Sequence, residues 1–75
     1  MMKEEEREFL IEIGVMVKRE RMKMGLTQKE AAEKLGFSRI AYTHIEYGLH
    51  AIGVHKLKAI CLFFGLSADK LLGLR

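Results

Sequence analysis

Apolar residues recur along the chain at helical spacing, in five runs punctuated by Gly25, Gly36, Gly48 and Gly65. In the first run Leu10, Ile13, Val17 and Met24 fall three, four and seven residues apart. That spacing predicts a helix over 4–24, fraying before Glu8, with one buried stripe. Phe9, Ile11, Val15, Met16 and Met22 add apolar surface outside the stripe. Thr27 and Glu30 then stand at the spacing of a capping box, in which the threonine oxygen takes an orphan backbone N–H and the glutamate reaches back. Ala31, Ala32 and Leu35 give the short helix that follows a small, close-packing face. Gly36 suits a left-handed stop, Phe37 anchors the turn, and Ser38 caps a second short helix from Arg39 to about Tyr47.

The rest of the pattern is similar. On the second short helix Ala41, Tyr42 and Ile45 share one face, and Arg39, Ile40, Thr43 and His44 share another. After a connection at 49–52, residues 53–64 predict a fourth helix with Val54, Leu57, Ile60, Cys61 and Phe64 inward. Ser67 caps a last short helix from Ala68 to about Leu72, with Asp69 where a helix dipole favours negative charge. Leu62 and Phe63 point partly outward from the fourth helix, and Leu71, Leu72 and Leu74 crowd the tail. These five residues predict a two-fold dimer surface.

A length of 75 residues predicts one domain, 1–75, with no separate sensor. The single cysteine, Cys61, forms no internal disulfide and suits a reducing compartment. No apolar run has the length of a membrane span, and no signal-peptide pattern is present. The net charge of +3 is unevenly spread: residues 1–12 hold five acids against Lys3 and Arg7, leaving 11 basic and 5 acidic residues, or +6, in the remainder. A basic body favours a polyanion. His44, His50 and His55 lack the i, i+4 spacing of a helical zinc pair, and a second cysteine is missing, so no metal or other cofactor is expected. Nothing in the chain signals a catalytic triad, a phosphate-cradling glycine loop or a small-molecule site, so no enzyme is expected.

Gly25-Leu26-Thr27-Gln28, Ala32, Leu35-Gly36, Ser38-Arg39, Ile45-Glu46 and Gly48 together resemble the helix-turn-helix of the phage-repressor and Cro (XRE) family. The similarity runs from about Ile13 to Leu72. It implies an all-α, compact five-helix lambda-repressor-like domain with its motif at about 27–47. It also implies sequence-specific binding of double-stranded DNA, as a homodimeric transcriptional repressor on a palindromic operator, in the cytoplasm of a prokaryotic or phage-infected cell. On this resemblance Arg39, Ile40, Thr43 and His44 read bases. Thr27, Gln28, Lys29, Ser38, Lys56 and Lys58 hold the DNA backbone, and Arg21 pairs with Glu46. The same domain serves antitoxins, whose partner is a toxin, and restriction–modification controllers. A protein-interaction module that has lost DNA is the remaining alternative, and Arg39 with the +6 body argues against it.

Overall fold

Capping chemistry and helical periodicity divide the chain where expected. A computed structural model describes residues 3–74. These form α1 (Glu4–Lys23), α2 (Gln28–Leu35), α3 (Arg39–Tyr47), α4 (Val54–Phe64) and α5 (Ala68–Leu71), and no strand occurs among them. Acidic residues Glu4, Glu5 and Glu6 occupy the first turn of α1, and Arg21 and Lys23 its last, each favourable to the helix dipole. Gly36 adopts φ 75° and closes α2 on the left-handed side, a conformation a side chain would strain.

Every helix supplies the core. Ile13 and Val17 come from α1, Ala31 and Ala32 from α2, Tyr42 and Ile45 from α3, Ile60 and Phe64 from α4, and Leu71 from α5. The most extensive packing is α1 against α3. Two glycines allow it. A Cβ on Gly14 would lie 2.3 Å from the Glu46 carbonyl oxygen, and one on Gly48 would lie 2.8 Å from Ile11 Cα. Both helices therefore touch through backbone, which no larger residue at either position permits.

Three burial expectations are corrected. Met24 is exposed, because it is the C-cap residue of α1, where the chain turns away from the buried stripe. Val54, the first residue of α4, is 80% exposed; the inward row begins only at Leu57. Leu71 is 1% exposed, since a one-turn helix gains its place only by burying its apolar residue. It is core and unavailable to a partner. Leu72 and Phe63 also pack against the core, and Phe63 meets Phe64 edge-on at 4.9 Å. Of the five residues expected at a dimer surface, only Leu62 and Leu74 are fully displayed.

Candidate nucleic-acid interface

The two helices of the α2–α3 pair are each started by a side-chain cap. Thr27 Oγ1 accepts the Glu30 N–H at 3.0 Å, and Glu30 Oε1 accepts the Thr27 N–H at 2.9 Å. The Thr27 backbone bond, then its side-chain bond, holds the Glu30 carboxyl below its ordinary pKa. Ser38 Oγ accepts the Ala41 N–H at 3.1 Å. In both caps the hydroxyl oxygen is the acceptor, so its own hydrogen is left to donate outward, as a phosphate requires.

The last turn of α3 is fixed from beneath by Glu46, which is 6% exposed and the only buried charged residue among those described. Its carboxylate accepts Arg21 Nε at 2.6 Å, Arg21 Nη2 at 3.2 Å, Gln28 Nε2 at 3.0 Å and the Tyr42 hydroxyl. Arg21 Nη1 donates to the Leu26 carbonyl at 2.7 Å. The expected Arg21–Glu46 pair is thus present, as a two-pronged contact, and it gains Gln28 and Tyr42. One carboxylate ties α1, α2 and α3 together, and no buried side-chain polar atom is left without a partner among the described residues. Burial pushes the Glu46 carboxyl up, but the bonds from Arg21, Gln28 and Tyr42 outweigh it and hold the group below its ordinary pKa. Burial, then the bond to Glu46, raises the Tyr42 hydroxyl, so it remains a donor at neutral pH. The bond to Glu46 raises the Arg21 guanidinium against the opposing effect of burial.

With its inner face locked, α3 presents the other. Arg39 is exposed and Ile40 is 69% exposed, while Thr43 and His44 are half-buried. The Thr43 hydroxyl donates to the Ile40 carbonyl at 2.9 Å, so it offers its methyl and an acceptor oxygen outward. His44 leans toward the 49–52 connection, its ring 4.8 Å from that of His50. Tyr47, 57% exposed, stands seven residues after Ile40 and four after Thr43, so it shares their face of the helix. The sequence pattern held this signal, and Tyr47 was not among the residues it singled out.

The backbone-holding residues divide. Thr27 and Lys29 are exposed at the start of α2, and Ser38 is exposed at the start of α3. Gln28 is partly committed, since its amide donates to Glu46. Lys56 Nζ lies 5.6 Å from the centre of the Phe37 ring, beside the turn. Lys58 is two residues further on α4 and so leaves a different side of that helix; the structure does not bring it to Lys56. His50 and His55, far apart from His44 in the helical pattern, join His44 and Lys56 around a cavity of about 420 Å³ beside α3. Among the described residues no group of three or more His, Cys, Asp and Glu side chains is placed to hold a metal ion. Burial holds the Cys61 thiol above its ordinary pKa, which suits packing rather than reactivity.

The sequence model of the family described as "Helix-turn-helix" matches residues 17–71, from the middle of α1 to the end of α5. The chain belongs to this family, in its XRE/Cro type. No curated protein and no solved structure matches the chain. As a helix-turn-helix protein it is a DNA-binding regulator, with α2 and α3 as the motif. The family is one of regulatory DNA-binding domains and not typically enzymatic. No helix among the described residues is long and apolar enough to cross a membrane. The first 13 helical residues of α1, Glu4–Met16, lie outside the matched segment.

Proposed function

We propose that the protein is a sequence-specific transcriptional regulator, most simply a cytoplasmic repressor that occludes a promoter, acting as a homodimer on a palindromic operator. The observation that carries this reading is the outer face of α3. Arg39 and Ile40 are exposed and Thr43 half-exposed on a helix whose inner face is locked by Glu46. An exposed isoleucine gains nothing in water, but beside a thymine methyl it discriminates. Arg39, in the first turn, enters the major groove first and bridges guanine O6 and N7. Ile40, Thr43 and His44 read further along, with Tyr47 at the rim. Thr27, Lys29, Ser38 and Lys56 hold phosphates on either side, joined by the backbone N–H groups at the start of α2.

The test is selection of duplexes from a random pool at stated salt, followed by titration of the selected site. A shared motif with two half-sites about 34–36 Å apart, one helical turn, is expected. Log K should fall with log salt by roughly 0.9 for each phosphate contacted, with about six to ten contacts for two subunits. A pool that yields no common motif, or affinity indifferent to salt between about 50 and 200 mM, would overturn the reading.

A further inference from the structure

Helix α1 carries a second seam that the fold leaves exposed, although Gly48 packs against one side of Ile11. Glu4, Glu8, Ile11, Val15, Lys18 and Met22 are all exposed, and they succeed one another by four, three, four, three and four residues. That is the alternation by which one helix lies along another. It lies away from the stripe of Leu10, Ile13, Gly14 and Val17, which α1 buries within the protomer. Its apolar members sit in the middle and at one end, acids occupy the start, and a base lies beyond the middle. Around the C-terminal half, Val15, Lys18, Arg19, Met22 and Lys23 line a groove of about 520 Å³.

We infer that this seam is a homodimer contact in which α1 packs antiparallel on α1 of a second copy. The occupant is set by charge. In a two-fold antiparallel pair centred at residue 13, each position meets the one that sums with it to 26. Ile11 then meets the partner's Val15, and Glu8 meets the partner's Lys18. Glu4 reaches the partner's Met22 at the rim of the basic groove. The cation-lined groove at residues 15–23 receives the acidic segment 3–11 of the other copy, and the reverse holds by symmetry. A parallel pair would set Glu4 on Glu4, Glu8 on Glu8 and Lys18 on Lys18, each repulsive. One helix therefore supplies both complementary halves. The acidic half lies in the segment outside the family match. The inference deepens the dimer of the proposed function and does not depend on DNA.

The test is sedimentation of the full chain without DNA, from tens to hundreds of micromolar, at low and high salt. Wild type is expected to dimerise, less at high salt because the outer layers are ionic. Glu8→Lys and Lys18→Glu should each sediment as monomers with unchanged helicity by circular dichroism. An equimolar mixture of the two variants should dimerise again, because each then supplies the charge the other lacks. Leu62→Glu and Leu74→Glu should leave the dimer intact. A wild-type monomer throughout the range overturns both the seam and the dimer. A dimer that survives both charge reversals and is lost in Leu62→Glu overturns the seam alone and places the contact on α4. Selection of a DNA motif would stand or fall separately.

Discussion

Glu46 is the residue on which the recognition helix rests. Its carboxylate has four hydrogen-bond partners from three other side chains, and Arg21 beneath it has 11% side-chain exposure. Such a pair adds little net stability relative to apolar packing, yet removing one member strands the other. Glu46→Ala should destabilise by about 3–5 kcal/mol in urea unfolding. Arg21→Ala combined with it should cost less than the sum of the single changes, and strict additivity would show that the two do not interact. Gly14 is the second decisive residue. Alanine inside a helix ordinarily gains about 1 kcal/mol over glycine. At Gly14 the added Cβ would meet the Glu46 carbonyl oxygen at 2.3 Å, so the helices must separate. Gly14→Ala should therefore lower the melting temperature, against the propensity trend; an increase would mean that α1 and α3 are not in backbone contact.

At the scale of the element, α3 has two faces with different work. The inner one, Tyr42, Ile45 and Glu46, fixes where the helix sits. The outer one, Arg39, Ile40, Thr43 and His44, is the face proposed to read bases. Arg39→Ala should cost about 1–3 kcal/mol on the selected site and relax preference at one position, a guanine. On the proposed backbone role of Lys56, Lys56→Ala should weaken all duplexes about equally and lower the salt slope. The measurement is binding of wild type and both variants across single-base changes of the site. Uniform weakening by Arg39→Ala, with base preferences intact, would move Arg39 to the backbone and leave reading to Ile40, Thr43 and His44. Most of this element was legible in the sequence, since caps, glycine stops and face periodicity are short-range features. The cap hydrogen bonds at Thr27, Glu30 and Ser38 fall where the residue types place them. The leaning of His44 onto His50 was not legible, because that contact depends on where the 49–52 connection runs.

For the whole molecule, the Glu46 cluster makes stability depend on pH at both ends of the scale. The Glu46 carboxyl is held below its ordinary value in the fold. Its contribution is therefore full above the unfolded carboxylate value of about 4.3 and is lost as pH falls through the folded value. The gap in melting temperature between wild type and Glu46→Gln should narrow steadily as pH is lowered through that window. Tyr42 is raised in the fold, so its contribution is full below about 10 and is lost as pH climbs through the folded value. Tyr42→Phe should remove the Tyr42 share of the alkaline limb and shrink the acid one without abolishing it, because Arg21 and Gln28 still bond Glu46. A gap between wild type and Glu46→Gln that stays constant in acid would mean that Glu46 is not ionised in the native state.

What the sequence determined by itself is local. Helix bounds, the three caps at Thr27, Ser38 and Ser67, the left-handed stops and the division of α3 into an inner and an outer face follow from residues within one or two turns of each other. Resemblance added the Arg21–Glu46 pair across 25 residues, but neither periodicity nor spacing reaches that far. Tertiary structure alone decided which members of an apolar pattern are covered. Met24 and Val54 fit their stripes and are exposed, while Leu71, which suited a partner surface, is core. The reason is that periodicity ranks the faces of a helix, whereas burial depends on what lies opposite and where each helix ends. Only the packed fold could bring Gln28 and Tyr42 to Glu46, press Gly14 on the backbone of α3, and leave Val15 and Met22 exposed on α1 while Gly48 packs against one side of Ile11.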